Sequence, residues 1–162
     1  HKSDAGGVKI GLKDEKEAKI AYQEIIFKAK KYNEKVKISG VIAYPMVPQG
    51  TEIIIGMMKD PCFGPTIMFG LGGIFVEVLK DISFRIIPLG ERDAQEMIAE
   101  IKGYRILKGA RGEAPKDIEA IKNLLMKLSK LTMENPEIKE IDLNPVFVFE
   151  KGAQVIDARM IL

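Results

Sequence analysis

The chain has 162 residues, of which 46% are hydrophobic and 30% are charged, which suits one globular domain, or part of one, with a real core. The 25 basic residues nearly balance the 23 acidic ones and no long run carries one sign, so a nucleic-acid-binding surface is not expected. The lone Cys62 excludes an internal disulfide, and no apolar run approaches the ~18 residues of a membrane span, so a cytoplasmic protein is predicted.

The first half of the chain predicts one long helix and a block of strands. Apolar residues at spacings of three and four indicate a helix over Asp14–Lys31, with acidic residues near its start and lysines near its end, as the helix dipole favours. Short segments bounded by glycine or proline predict strands. These strands are Val8–Leu12, Val41–Tyr44, Thr51–Met58, Thr66–Phe69, Phe75–Leu79 and Ser83–Ile87.

The second half predicts two helices and a closing hairpin. One helix covers Asp93–Ile101, and another begins near Pro115, a residue that suits a first helical turn. Between them lies a loop rich in glycine and arginine, Gly103–Pro115. The predicted strands of the end are Ile138–Leu143, Val146–Phe149 and Gln154–Ala158, the last two joined by a turn at 150–152. The whole is predicted to be α+β with mostly antiparallel strands.

Two motifs in the closing hairpin, EIDLNP (140–145) and VIDAR (155–159), carry oxygen ligands that can meet. Alternation along the strand puts Asp142 and Asn144 on one face. Counting outward from the turn, Asp157 lies within about one residue of the position opposite Asn144, and cross-strand neighbours are ~5 Å apart. Two carboxylates and one amide suit Mg²⁺, which also takes substrate phosphates. The alternative is a polar, solvent-facing side of the hairpin, because Asx residues are common in turns.

Two loops, AGGV (Ala5–Val8) with the pair Gly6-Gly7 and GLGG (Gly70–Gly73) with the pair Gly72-Gly73, are candidate phosphate-binding loops. Glycine lets successive backbone N–H groups come close to phosphate oxygens. Neither pair fits the Walker A loop or the G-x-G-x-x-G pattern, so a nucleotide would be held by another architecture. An ordinary turn is the alternative for each pair.

Three charged residues lie within apolar strands of the β-rich block. Glu52 opens one strand, and it either lies at the surface or faces a ligand. Glu77 and Arg85 would be costly to bury unless they are paired or functional, and pairing with each other is the alternative to a role in the site.

The sequence resembles the nucleotide-binding β subunit (ATP-grasp domain) of ADP-forming acyl-CoA synthetases, above all the ADP-forming acetyl-CoA synthetases of archaea. The resemblance covers essentially the whole chain. It is carried by HKSDAGGV, GTEIIIG, the long block DPCFGPTIMFGLGGIFVEVLKDISFRIIPL, EIDLNPVFV and IDAR. EIDLNP with a downstream IDAR is also similar to the Mg²⁺-binding end of succinyl-CoA synthetase β subunits.

The resemblance implies an ATP-grasp fold that holds ATP or ADP and Mg²⁺ between two α+β lobes. Asn144 and Asp157 match the family's Mg²⁺ ligands, with Asp142 beside them. Glu52 matches an acidic residue near the nucleotide. The remaining matches are Gly6 and Gly7 in the first glycine-rich loop, and Gly72, Gly73, Glu77 and Arg85 in motifs of the active site.

His1 matches the histidine of the family's HKSD-GG motif, which is proposed to be transiently phosphorylated. The implied reaction is acyl-CoA + ADP + phosphate ⇌ acid + ATP + CoA. A CoA-binding α subunit would form an acyl phosphate, and the phosphoryl group would pass to a histidine of that subunit, then to His1 and then to ADP. Two copies of each subunit are expected in the assembly.

Two departures from the family pattern lead to further expectations. The family's strand with a nucleotide-contacting lysine lies upstream of HKSD, so this chain is expected to be the C-terminal portion of an ATP-grasp domain, a fragment that binds ATP poorly alone. Tyr44-Pro45 stands where many relatives carry Gln-Glu, which leaves main-chain groups from Ala43 to Val47 to hold the adenine.

Two other functions are compatible with the same motifs. One is the ATP-grasp nucleotide-sensing region of a fused protein lysine acetyltransferase. The other is a succinyl-CoA synthetase β-like subunit, which HKSD disfavours. What is joined to this domain, a CoA-binding ligase partner or an acetyltransferase, would distinguish the first from the ligase.

Overall fold

The computed structural model describes residues 6–73, 76, 78–110 and 112–162. Its contacts divide the chain into two compact units, His1–Pro48 and Gln49–Leu162. Within the described ranges, no helix is both long enough and apolar enough to cross a membrane.

The first unit contains one long helix, α1 (Glu15–Tyr32), which confirms the helix predicted over Asp14–Lys31. Asp14 caps it, because its Oδ1 accepts the N–H of Glu17 at 2.8 Å. The predicted strands Val8–Leu12 and Val41–Tyr44 are wrong, since both segments are irregular and exposed. Neither has a neighbouring strand among the described residues, and a strand without a ladder partner is not stable.

The described residues of the second unit form a six-stranded sheet in the order β3-β2-β1-β4-β5, with β6 also paired to β4. Every pairing among the described strands is antiparallel, which agrees with the prediction of an α+β fold with mostly antiparallel strands. The strands are β1 (Thr51–Asp60), β2 (Gly64–Leu71), β3 (Ile82–Ile86), β4 (Glu140–Val148), β5 (Ala153–Val155) and β6 (Ala158–Ile161).

Among the described residues that follow β3, the helices are α2 (Glu91–Glu100), α3 (Tyr104–Leu107) and α4 (Ile118–Glu134). The short α3 lies in the segment predicted to be a loop. Helix α4 begins later than predicted from Pro115, because the side chain of Asp117 accepts the N–H of Ala120 at 2.9 Å and caps the helix there.

The strand predicted over Phe75–Leu79 is wrong for its described residues, since Val76, Val78 and Leu79 belong to no strand. Phe75 and Glu77 lie outside the described residues. The physical reason is the preceding Gly73, whose φ of +60° turns the chain out of the β2 ladder.

The sheet has one face packed into the core and one face that carries the polar candidates. Core-facing residues of β1, β2 and β4 pack against apolar residues of α2 and α4 in one cluster, which includes Ile53, Ile55, Phe69, Leu71, Met97, Ile98, Leu125 and Val146. Side chains alternate along a strand, so Glu52, Asp142 and Asn144 lie on the opposite face. This second face is called the site face below.

A β-bulge in β4 lies within the site face. Ile54 of β1 lies opposite two residues of β4, Asn144 and Pro145. The extra residue lets Leu143 and Val146, three positions apart, both face the core, where their side chains are 8% and 0% exposed. Strict alternation would have turned one of the two toward the site face.

Candidate functional site

The predicted metal-binding residues meet where β4 runs beside the end of the chain. The N–H of Asn144 donates to the carbonyl oxygen of Asp157 at 3.1 Å, so these two residues lie directly opposite each other. Two pairs further along, Asp142 lies opposite Arg159. The register predicted from the sequence is therefore confirmed, and the structure brings Asp142, Asn144 and Asp157 together.

The predicted strand Gln154–Ala158 is interrupted at this point, which corrects the sequence analysis. Strand β5 ends at Val155 and β6 begins at Ala158. The proline of β4, Pro145, has no N–H to donate, although its carbonyl oxygen accepts the N–H of Ile156 at 3.0 Å. The interruption leaves Asp157 between two strands rather than within one.

Negative charge is concentrated around Asp142. Burial raises the pKa of its carboxyl group, the negative charges of Glu140 and Asp157 add to the rise, and the Arg159 guanidinium opposes it. Arg159 also lies 3.9 Å from Glu140, between Nη1 and Oε1. A bound cation at this position would relieve the repulsion between the carboxylates.

The donor set at this position fits Mg²⁺. Asp142, Asn144 and Asp157 supply hard oxygen ligands without cysteine or histidine. Within the part of the chain that the structure describes, no three Asp, Glu, His or Cys side chains converge into a complete cation cage. Mg²⁺ commonly takes only one or two carboxylates and completes its coordination with water and substrate phosphates.

Glu52 and the second glycine pair, treated separately in the sequence, are in direct contact. The N–H of Gly72 donates to the carbonyl oxygen of Glu52 at 2.8 Å. A Cβ on Gly72 would lie 2.9 Å from the Cβ of Glu52, so only glycine allows this approach. The Glu52 carboxylate faces the next residue, with Oε2 3.7 Å from the position of a Cβ on Gly73.

Arg85 belongs to a different part of the fold. It pairs in register with Ile67, whose side chain is in the core, and its guanidinium extends toward α2. There, Nη2 lies 2.8 Å from Oε2 of Glu100. The structure therefore does not bring Arg85 to the site face, and its ion-pair partner is Glu100. Glu77, the partner considered from the sequence, lies outside the described residues.

The first glycine pair belongs to the first unit and contacts a lysine that the sequence analysis missed. Gly6 has a φ of +65°, and a Cβ there would lie 2.6 Å from Cδ and 3.1 Å from Nζ of Lys28. Lys28 lies one helical turn after Glu24, which pairs with Lys9 at 2.5 Å. The glycine turn, with Gly7 beside it, thus has an ammonium group against its backbone, a combination suited to a phosphate.

The residues predicted to hold the adenine lie in an irregular segment of the first unit. Ala43 is exposed and Val47 is half-buried, in a segment without helix or strand, so neither a helix nor a ladder uses their main-chain groups. His1 lies outside the described residues, as does Glu77.

The comparisons with known proteins agree with this architecture. A family model described as an ATP-grasp domain matches residues 1–162. The β subunit of ADP-forming acetate–CoA ligase I from Pyrococcus furiosus is 56% identical over 162 residues, which are 100% of this chain and 70% of that subunit. ADP-forming acetate–CoA ligase I from Archaeoglobus fulgidus is 53% identical over the whole of this chain, which spans 24% of that protein.

Solved structures of acetyl-coenzyme A synthetase 1 from Ca. Korarchaeum cryptofilum have the same fold. One, in complex with coenzyme A and Ca-AMPCP, superposes with a TM-score of 0.95 at 51% identity and covers 99% of this chain and 70% of that one. Another, with coenzyme A and Mg-AMPPCP, has a TM-score of 0.86 at 50% identity over 100% of this chain and 70% of that one. The chain therefore belongs to the ATP-grasp family, in the branch that contains the ADP-forming acetate–CoA ligases.

Proposed function

We propose that this chain is the nucleotide-binding part of an ADP-forming acyl-CoA synthetase of the acetate–CoA ligase type. The structural observation that carries the proposal is the placement of Asn144 directly opposite Asp157, beside Asp142, on the site face. The relative from Pyrococcus furiosus, 56% identical along the whole chain, supports the same activity. The relatives described above are acetate–CoA ligases and an acetyl-coenzyme A synthetase, which favours this function over an acetyltransferase or a succinyl-CoA synthetase.

Asn144 and Asp157 would hold Mg²⁺ through the amide and carboxylate oxygens, with Asp142 beside them. When bound, the ion would neutralise charge on the phosphates of ATP or ADP. Glu52 and the backbone of Gly72-Gly73 lie on the same face, where they would contact the nucleotide. A relative that binds Mg-AMPPCP supports this choice of ligand and ion.

We assign the phosphoryl transfer itself to His1. A nitrogen of its neutral imidazole would attack the phosphoryl group carried by the partner's histidine, so that one P–N bond forms as the other breaks. A terminal phosphate oxygen of ADP would then attack the phosphorus, forming ATP and releasing the imidazole. The turn of Gly6-Gly7, with Lys28 against it, would steady the transferring group.

The histidine must serve two sites, so its segment must move between them. Relatives support such movement: in one Korarchaeum structure the phosphohistidine segment points towards the nucleotide binding site, and in another the phosphorylated segment has the site I orientation.

The reaction needs a partner that binds CoA. Relatives named as β subunits, and a single-chain relative about four times the length matched here, imply an α-subunit partner. We propose that two copies of each subunit assemble, and that the enzyme works in the cytoplasm. Main-chain groups from Ala43 to Val47 would hold the adenine.

The phosphohistidine can be tested directly in the intact ligase with its partner subunit. Incubation with γ-labelled ATP should give an acid-labile, base-stable phosphate on this chain. His1→Ala should remove the label and the overall turnover, while Lys13→Ala, at an exposed residue outside the HKSD-GG motif, should retain both. If His1→Ala turns over like the wild type, the relay role of His1 is wrong.

A further inference from the structure

A buried aspartate side chain holds one turn of the second unit by accepting hydrogen bonds from main-chain N–H groups. Asp81 immediately precedes β3, and its side chain is 6% exposed. Its Oδ1 accepts the N–H of Lys102 and its Oδ2 accepts the N–H of Gly103, both at 2.7 Å. These donors belong to residues 101–103, the connection between α2 and α3, which is called the anchor turn below.

The anchor turn also contacts the end of β2. A Cβ on Gly103 would lie 2.2 Å from Cδ1 of Leu71 and 3.1 Å from Oδ2 of Asp81, so the turn packs closely on both residues. Leu71 precedes Gly72 directly. The anchor turn therefore contacts Leu71 before the Gly72-Gly73 pair and Asp81 after it, although the turn is distant from that pair in sequence.

The two residues of the last pair in the β2–β3 ladder also approach each other closely. Gly70 pairs with Ile82, and a Cβ on Gly70 would lie 2.8 Å from Cγ2 of Ile82 and 2.9 Å from the carbonyl oxygen of Asp81. Asp81 thus constrains the end of β2 in two ways. Its side chain holds the anchor turn, which packs on Leu71, and its main-chain carbonyl oxygen lies against Gly70. A shift of Asp81 would move that end and the glycines that follow it.

Those glycines contact the site face on their other side. Gly72 donates its N–H to Glu52, and Gly73 lies against the Glu52 carboxylate. We propose that Asp81 is a positioning residue of the nucleotide site, which sets the end of β2 so that Gly72 and Gly73 meet Glu52. The inference rests on the proposed function, because it concerns the nucleotide that this site would bind.

The test compares two substitutions in the intact ligase with its partner subunit. Asp81→Asn keeps one acceptor oxygen but turns an NH₂ group toward a main-chain donor, so one of the two hydrogen bonds is lost. Ser83→Ala is the matched control, because Ser83 is also buried and its Oγ donates to the carbonyl oxygen of Met97 at 2.7 Å without touching the anchor turn. The measurements are the Kd for Mg-ADP by calorimetry, the KM values for ADP and acyl-CoA, and the melting temperature.

Asp81→Asn should raise the Kd and KM for ADP by about tenfold or more, as expected for a shift of a fraction of an ångström in a binding group, with the KM for acyl-CoA unchanged. Ser83→Ala should lower the melting temperature and leave the Kd for Mg-ADP at the wild-type value. A Kd for Asp81→Asn within twofold of the wild type would overturn the positioning role. Equal losses of affinity in both variants would also overturn it, because they would indicate a general effect of stability.

Gly103→Ala covers the case in which Asp81→Asn does not fold. Its Cβ would overlap Cδ1 of Leu71 and press on Oδ2 of Asp81 without removing the carboxylate, so the same loss of ADP affinity is expected, and an unchanged Kd would overturn the proposal. The proposed function can be tested separately from the positioning role. If the wild-type complex shows no Mg²⁺-dependent binding of ADP, both the proposed function and the positioning role are wrong. If the wild type binds ADP and Asp81→Asn binds it with the same Kd, only the positioning role is wrong.

Discussion

Replacing Gly72 by alanine perturbs the close contact between Gly72 and Glu52. The new Cβ would lie 2.9 Å from the Cβ and 3.3 Å from the carbonyl carbon of Glu52. Carbon atoms prefer a separation of about 3.5–4.0 Å, so the two segments must move apart by roughly 0.6 Å or more. The carbonyl carbon is part of the main chain, so rotation of the Glu52 side chain cannot relieve the overlap.

Two effects of Gly72→Ala follow from this displacement. Overpacking of this kind costs roughly 1–3 kcal/mol, which for a chain of this size lowers the melting temperature by roughly 2–12 °C. Misplacement of a positioning group by 1 Å can cost about 100-fold in rate, so a shift of about half that size should lower kcat/KM for ADP by about tenfold.

Gly40→Ala is the control for this prediction, because a Cβ on Gly40 would have no heavy atom within 4 Å of it. Its φ also lies outside the left-handed region, so alanine is tolerated there without backbone strain. Steady-state kinetics with ADP and thermal unfolding of the complex measure both effects. If Gly72→Ala matches Gly40→Ala in both assays, the close approach to Glu52 does not govern the site.

Three further predictions concern the metal site, the response to acid and the core. Asp157→Ala should abolish Mg²⁺-dependent nucleotide binding in calorimetry, and an unchanged affinity would refute the metal assignment. The N–H groups of Gly152 and Ala120 lower the pKa of Asp117, so its ionised carboxylate stabilises the fold above its ordinary pKa of roughly 3.9, and this contribution is lost as the pH falls through the lower folded-state pKa. Asp117→Asn should therefore reduce the fall in melting temperature as the pH is lowered. If the melting temperatures of variant and wild type fall in parallel with pH, this role of Asp117 is contradicted. Leu125 is fully buried, so Leu125→Ala should cost roughly 2–5 kcal/mol in urea unfolding, and a cost below about 1 kcal/mol would place it outside the core.

Local patterns in the sequence were sufficient to predict the helix α1 and the pairing at the metal site. Asp14 and the apolar spacing after it mark α1 within a few residues. Asn144 and Asp157 could be paired by counting from a tight turn at 150–152, because a hairpin fixes its own register. These features depend on residues close in sequence, so no knowledge of the rest of the fold is required.

Long-range contacts explain what the sequence did not reveal. Arg85 faces Glu100 because β3 packs against α2, and Glu52 meets Gly72 because the start of β1 lies beside the end of β2. The short segment Val8–Leu12 after a glycine turn predicted a strand, but a strand also needs a partner at its edge, which the local pattern cannot supply. The bulge opposite Ile54 likewise depends on the register of two strands far apart in the chain.

Asp81 and Asp117 share a property that bears on how this sequence can change. Each accepts two hydrogen bonds from the main chain, Asp81 from residues 102 and 103 and Asp117 from residues 120 and 152. Every amino acid except proline supplies such an N–H, so the side chains at positions 102 and 120 can vary without loss of these hydrogen bonds. Paired substitutions between relatives would therefore not reveal these contacts, and each aspartate would stand out only as an invariant residue without a partner that varies with it.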